Sequence, residues 1–483
     1  MPDQQYLTAP VPSKRMPGGI PFIVGNEAAE RFSFYGMRAI LFVFMTKHLY
    51  DSAGNEAFLT ETEAREWQAW FIASAYLFPV LGALISDIFW GKYRTILYLS
   101  LFYCLGHGSL ALMDLPPALL QVLFEPKTFL LIGLCLIAIG SGGIKPCVSA
   151  HVGDQFGKSN QHLLTKVFSW FYLSINLGAF ASYLITPLLL EHVGPAWAFG
   201  VPGILMGIAT FVFWLGRTRF VHIPPGGRGY FQEVTDSNGL IALMKLLPLY
   251  AFAAVFWSLF DQSGSAWIGQ AAKMDRNFLG IDWLESQIGA FNPLLILIFV
   301  PLSVYVIYPT VNRAFNLTAM RKISIGFFIA IAAFSVSALI QEWIDDGETP
   351  NIVWQLLAYV LMTAAEVMVS ITCLEFSYTQ APPKMKSSIM ALYLGSVSAG
   401  NIFTALVNRL TMDEAGNSTL TGASYYWFFT AVMAGAAVLF IPVALLYRER
   451  TYLQQEEPLG TQPNAPPPTN TSIESEMNND QSP

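Results

Sequence analysis

The chain has 483 residues, 54% hydrophobic and only 12% charged, with a mean hydropathy of +0.46. A soluble domain carries about 25% charged residues, so the composition excludes a soluble globular protein and indicates a polytopic membrane protein. The formal charge of −7 comes largely from polar ends, and no basic patch has the density that nucleic-acid binding requires.

Residues 1–20 are polar and contain proline, and read as a cytoplasmic segment. Twelve apolar stretches follow, at roughly 21–49, 67–89, 95–114, 128–150, 165–190, 198–216, 246–271, 286–309, 321–343, 352–376, 387–410 and 424–447. Their lengths suit membrane spans. The first stretch is too long and too well flanked for a cleaved signal peptide and reads as an uncleaved insertion signal. It contains Glu27-Ala-Ala-Glu30-Arg31-Phe-Ser-Phe-Tyr35-Gly-Met-Arg38. A charge at the bilayer centre is costly, so such residues are functional candidates by default. Helical spacing puts Glu27, Glu30, Arg31, Tyr35 and Arg38 on one stripe. Ile23, Val24, Phe32, Met37, Ile40 and Leu41 form the other face. A polar stripe on a spanning helix should face a water-filled cavity shared with other helices, which points to transport.

Between the second and third stretches lies Gly82-Ala-Leu-Ile-Ser-Asp87-Ile-Phe-Trp-Gly91-Lys92-Tyr-Arg94. Its small residues allow close helix approach. Asp87 can meet a helix N-terminus or a basic side chain, as in the loop signature of the major facilitator superfamily, which this segment resembles. The segment reads as a conformational latch. His107, in the third stretch, has no acid at helical spacing and reads as a packed histidine more readily than as a proton relay. In the fourth, Lys145 sits in Gly140-Ser-Gly-Gly-Ile-Lys145-Pro146. Pro146 stands where a phosphate loop needs Ser or Thr, which disfavours a nucleotide-driven pump. Cys104, Cys135, Cys147 and Cys373 lie in apolar stretches without metal-ligand pairing and read as small hydrophobes.

Tyr76, Tyr172, Asn176, Trp257, Asn292 and Ser370 lie deep in other stretches, as do the acids Asp261 and Glu366. Singly each is more often a packing residue. Together, with charges of both signs, they suit a small zwitterion: Arg and Lys for a carboxylate, an acid and an amide for an ammonium, rings for apolar pockets. Three buried bases, Arg31, Arg38 and Lys145, face four buried acids, Glu27, Glu30, Asp261 and Glu366. A buried carboxylate without a partner protonates, so one acid should be free to carry a proton.

The longest central connection, 217–245, contains the breaker cluster Pro224-Pro225-Gly226-Gly227-Arg228-Gly229. It divides the chain into six-span halves, 21–216 and 246–447, the architecture of major facilitator transporters with a midplane site. The tail, 448–483, is rich in Pro, Asn, Gln, Ser and Glu and reads as disordered and cytoplasmic. With twelve spans both termini share a side. Of the 26 basic residues, Lys47, Arg65, Lys127, Lys273, Arg276 and Arg409 fall on the opposite side, Arg31, Arg38 and Lys145 lie within spans, and all others share the termini's side. The positive-inside rule makes that side cytoplasmic. The expected fold is therefore an all-α polytopic membrane protein of major facilitator type, with twelve transmembrane helices in two six-helix bundles and cytoplasmic termini.

These motifs resemble the proton-dependent oligopeptide transporters, a branch of the major facilitator superfamily, over nearly all of residues 21–447. Glu27-x-x-Glu30-Arg31-Phe-x-Phe-Tyr35-Gly looks like the first-helix signature. Gly142-Gly-Ile-Lys145-Pro-Cys-Val-Ser-Ala-His-Val-Gly-Asp154-Gln-Phe looks like that of the fourth, and Phe171-Tyr172-Leu-Ser-Ile-Asn176-Leu-Gly that of the fifth. Phe256-Trp257-Ser-Leu-Phe-Asp261-Gln, Phe291-Asn292-Pro293 and Ala365-Glu366-Val-Met-Val-Ser370 match helices seven, eight and ten. The run Leu374-Glu375-Phe-Ser-Tyr-Thr-Gln-Ala-Pro resembles the animal members in particular.

The resemblance implies import of di- and tripeptides by proton symport through alternating access, with no enzymatic activity, no metal and no cofactor beyond the coupling proton. It implies that Arg31, Arg38 and Lys145 face the peptide carboxylate, and that Glu366 with Asn176 and Asn292 receives its amino terminus. Tyr35, Tyr76, Tyr172 and Trp257 would line side-chain pockets, with Ser370 beside them. Glu27 and Glu30 would carry the proton beside Arg31. Arg38–Asp261 and Lys145–Glu366 would be pairs that make and break. The expected location is a cell membrane, the bacterial inner one. The 217–245 link is too short for the two extra helices of many bacterial members, and the large loop of animal members between spans nine and ten is absent. Phe34, Ala365 and Tyr393 stand where relatives often have Tyr, Gly and Trp; these positions bear on side-chain preference. The rival readings are a transporter for another anion or small metabolite, a transporter-shaped receptor, and an intramembrane hydrolase, for which no catalytic constellation is evident.

Overall fold

A computed structural model describes residues 6–120, 124–157, 159–160, 163–225, 237–380, 386–413 and 418–447. The glycines of the 226–229 breaker cluster and the tail 448–483 lie outside the described residues. The long helices are α1 (Ile20–Val43), α2 (Glu61–Ile85), α3 (Lys92–Ala111), α4 (Pro126–Asp154), α5 (Leu164–His192), α6 (Pro195–Leu215), α7 (Ser237–Phe260), α8 (Phe291–Leu302), α9 (Ala319–Asp345), α10 (Val353–Glu366), α11 (Lys386–Leu410) and α12 (Ala423–Leu446). Wider π-helical turns extend four of them: Phe44–His48, Ser86–Trp90, Ser303–Ile307 and Val367–Ile371. Among the described residues, eleven helical segments are long and apolar enough to cross a membrane. α1 has comparable length, 24 residues, but carries Glu27, Glu30, Arg31 and Arg38 within it.

Local chemistry explains where the helices depart from the apolar pattern. α2 starts at Glu61, ahead of the apolar run from 67, because Thr60 and Glu63 form a reciprocal capping box. Thr60 Oγ1 accepts from the Glu63 amide at 3.2 Å, and Glu63 Oε2 from the Thr60 amide at 2.9 Å. α7 starts at Ser237, inside the segment read as a linker to 245. The apolar run 246–271 is not one helix. It breaks at Asp261 into the 3₁₀ turn Asp261–Gly264 and resumes as Ala266–Ala271. Gly264 permits this break to sit against the first half of the chain. A Cβ there would stand 2.9 Å from Gln68 Nε2 and 3.1 Å from Arg38 Nε.

The apolar interior divides into two clusters. One gathers Phe34, Phe44, Tyr103, Phe199 and Phe213 from α1–α6, with Ile268 as its contribution from the second half. The other gathers Phe256, Trp267, Phe327, Phe334 and Phe429 from α7–α12. Lipid is as apolar as leucine, so helices associate in a membrane through close fit, which small residues provide. Gly82 on α2 and Gly143 on α4 make one such crossing: a Cβ on Gly82 would lie 2.4 Å from Gly143 Cα.

The halves meet mainly where α2 runs along α11, and also where α5 meets α8. Hydrogen bonds and ion pairs between them gather at the end where α1 finishes and α2 begins. Gln68 Nε2 donates to Gly264 O at 2.5 Å, and Gln287 Nε2 to Leu184 O at 3.1 Å. Lys273 pairs with Glu61 at 2.8 Å, Lys47 pairs with Glu285, and Arg65 lies over the Tyr425 ring. Ser398 Oγ donates to Ala73 O at 2.8 Å, the deepest of these ties. At the opposite end, the segment before α1 lies across the first half: the His222 amide donates to Leu7 O at 2.7 Å, and the Ser13 amide to Ser159 Oγ at 2.9 Å.

Candidate functional site

The polar stripe of α1 faces inward, as a helix carrying four charges must. Its upper part forms a triad. Arg31 Nε lies 2.6 Å from Glu27 Oε1 and 3.1 Å from Glu30 Oε2, with both carboxylates buried. Ser141 Oγ on α4 donates to Glu30 Oε1 at 2.8 Å. Two carboxylates thus share one guanidinium, and one added proton brings the triad to neutrality.

Two turns further on, Arg38 reaches the break in α7. Its Nη2 donates to Asp261 Oδ1 at 2.7 Å and to Asp261 O at 3.2 Å. Both side chains are about 95% buried, so neither charge would be tolerated without the other. Asn401 on α11 donates to the second carboxylate oxygen, Oδ2, at 2.6 Å.

A cavity of about 290 Å³ opens between the halves beside this pair. Tyr35, Arg38 and Tyr76 line it from α1 and α2, and Asn176 and Tyr183 from α5. Trp257 and Asp261 line it from α7, Asn292 from α8, Tyr359, Glu366 and Ser370 from α10 and its π turn, and Tyr393 from α11. Elsewhere in the lining Asn292 Nδ2 donates to Glu366 Oε2 at 2.7 Å and to Thr363 Oγ1 at 3.1 Å. The π turn Val367–Ile371 follows Glu366 directly; Ser370 within it bonds Tyr393 at 3.1 Å. Trp257 Nε1 is buried without a partner among the described residues. The cavity is therefore lined by a cation with its counter-ion and by a carboxylate held by an amide. Aromatic rings complete the lining.

Of the residues singled out from the sequence, Tyr35, Arg38, Tyr76, Asn176, Trp257, Asp261, Asn292, Glu366 and Ser370 come together here. Arg31, Lys145 and Tyr172 are not among the lining residues. Lys145 is also not paired with Glu366. Its Nζ lies 3.8 Å from the Phe34 ring centroid and 4.4 Å from that of Tyr76, with no hydrogen-bond acceptor among the described residues. Ring quadrupoles attract a cation, while Glu366 is engaged by Asn292. In the latch segment Asp87 lies within electrostatic reach of Lys92. The segment's ion pair is Lys92 with Asp154 at 2.7 Å, with Asp87 inside the π turn Ser86–Trp90. His107 is packed: Nδ1 lies 3.1 Å from Phe199 O, and its ring stands against Tyr103.

Tyr183, Tyr359 and Asn401 escaped the sequence reading. For the two tyrosines the signal was present: Tyr183 follows Asn176, and Tyr359 precedes Glu366, by two helical turns on the same face. Asn401 had no such cue, because its partner lies on another helix.

A family model described as POT family matches residues 93–236 and 229–428. Human solute carrier family 15 member 2 is 40% identical over 372 residues, covering 68% of this chain and 50% of that protein. Peptide transporter family 1 of Drosophila melanogaster is 36% identical over 377 residues, covering 69% of this chain and 48% of that protein. The chain thus spans about half the length of the curated relatives it matches. Two solved structures align along almost their whole length. An auto-inhibited POT family peptide transporter is 34% identical with a TM-score of 0.80, over 90% of this chain and 98% of that one. The POT family transporter PepTSo is 35% identical with a TM-score of 0.79, over 89% and 98%. These relatives are transporters, not enzymes, and the apolar helices agree with a multi-pass membrane protein.

Proposed function

The chain belongs to the POT family, and on that premise we propose that it imports di- and tripeptides together with protons by alternating access. The observation that carries this reading is the cavity's charge set: Arg38 paired with Asp261, Glu366 held by Asn292, and tyrosines and Trp257 in the same lining. A zwitterion with a variable middle suits that set. Its carboxylate goes to Arg38, its ammonium to Glu366, and its side chains to the rings. Arg31 and Lys145 stand just outside the cavity as reserve cations, reaching the carboxylate when the halves rock.

The triad Glu27–Arg31–Glu30 is the proton site. A proton on Glu27 releases Arg31 toward the substrate and couples binding to protonation. Moving one charge through 100 mV is worth about 2.3 kcal/mol, so inward proton flow drives accumulation. The two apolar clusters are the bundles that rock, as two six-helix halves with twelve spans. We read the ties at the α1–α2 end as closing the outside, because the basic residues put both termini on the cytoplasmic side. The chain works in the cell membrane, and we read it as a bacterial inner-membrane protein.

The test is uptake of labelled dialanine into proteoliposomes. Accumulation against a gradient, collapsed by a protonophore and blocked by unlabelled di- and tripeptides, is expected. Uptake that peptides do not compete would move the assignment to another small anion or metabolite.

A further inference from the structure

We infer that Asn401 on α11 is a positioning residue for the Arg38–Asp261 pair, holding the Asp261 carboxylate in place when Arg38 withdraws. The inference rests on the alternating-access reading above. Asp261 Oδ1 belongs to Arg38 of the first half, and Oδ2 to Asn401 of its own half, at 2.7 and 2.6 Å. Opening the outside must separate Arg38 from Asp261, because they lie on opposite halves. Asn401 stays, because α7 and α11 pack together within one bundle.

The Asn401 amide is itself fixed. Nδ2 also donates to Val397 O at 3.0 Å, and the side chain is 2% exposed. The helix contact does not need it. α7 and α11 are joined independently by Thr404 Oγ1 donating to Ser258 O at 3.2 Å, and by Gly400, whose Cβ position lies 2.3 Å from Ala254 O. In the closed state Asp261 has two donors; in the open state Asn401 is the one that remains from this arrangement. A buried carboxylate without a donor is strongly disfavoured. Losing Asn401 therefore raises the cost of the open state more than that of the closed one.

The experiment compares Asn401→Ala with Asn401→Ser, which differ by one hydroxyl donor, each in the native and the Asp261→Asn background. The readouts are dialanine uptake and the fraction of protein open at the outside, from spin labels on the α1–α2 and α7–α8 connections. In the native background Asn401→Ala should lower the open fraction and the maximal uptake rate roughly tenfold, with Asn401→Ser recovering most of the loss. In the Asp261→Asn background the two variants should be alike within about twofold. Equal losses in both backgrounds, or no difference between Ala and Ser, would overturn the inference. The spin-label readout needs no substrate, so it remains decisive even if dialanine is not transported and the functional reading fails.

Discussion

At the residue scale, each carboxylate of the triad and of the cavity has a partner that defines what its loss does. Glu27→Gln removes the carboxylate closest to Arg31, at 2.6 Å. It should abolish gradient-driven dialanine accumulation while leaving exchange of peptide across the membrane intact; undiminished accumulation would contradict the proton role. Glu366→Gln keeps an acceptor for Asn292 but removes the charge that an ammonium needs. It should raise the KM for dialanine roughly tenfold, while N-acetylated dialanine, which lacks the ammonium, should bind the native and variant proteins alike. An equal effect on both ligands would place the amino terminus elsewhere. Most of this site was legible in the sequence because the α1 and α10 stripes obey helical spacing, and because a charge within an apolar run stands out. Asn401 and the Lys145–ring contacts were not legible. Both depend on which faces of distant helices meet, and an asparagine in an apolar helix is more often a packing hydrogen bond.

At the element scale, the ties at the α1–α2 end carry the closure proposed above. Glu285, between the hairpin Asn277–Asp282 and α8, accepts from Lys47 of the first half and Arg276 of its own. Burial alone would raise its carboxyl. The Lys47 hydrogen bond and the charges of Lys47 and Arg276 prevail and hold it below its usual 4.5. A carboxylate so depressed contributes stability above its ordinary value and loses it as pH falls through the lowered one. This tie should therefore be constant from neutral pH down to about pH 5, so mild acid does not open the outside through it. Glu285→Gln should raise the outward-open fraction at pH 7 and leave it flat across that range, as read by spin-label distances. A native protein whose outside tie weakens between pH 7 and 5 through Glu285 would contradict the assignment. Packing within a half can be probed at Gly82. Gly82→Val drives a methyl into Gly143 and should cost about 1–3 kcal/mol, seen as a lower Tm in detergent. An unchanged Tm would mean that α2 and α4 do not cross there. The breaks in the helices were less legible than their existence. Hydropathy averages 246–271 into one run although Asp261-Gln-Ser-Gly-Ser265 interrupts it, whereas the turn at Asp261 is fixed by contacts with Arg38 and Gln68 of the other half.

The whole molecule joins two apolar bundles, a cavity lined by the Arg38–Asp261 pair and by Glu366, and a carboxylate–guanidinium triad one proton short of neutrality. In the function proposed above, obligatory coupling of peptide to proton binds these parts. The most direct test loads proteoliposomes with a pH-sensitive dye, clamps the membrane potential inside-negative, imposes no pH gradient, and adds dialanine outside. Obligatory coupling predicts that the lumen acidifies on peptide addition, at a rate that tracks peptide entry and disappears in Glu27→Gln. Peptide entry without acidification would contradict the account, leaving a facilitated carrier whose buried triad serves structure alone.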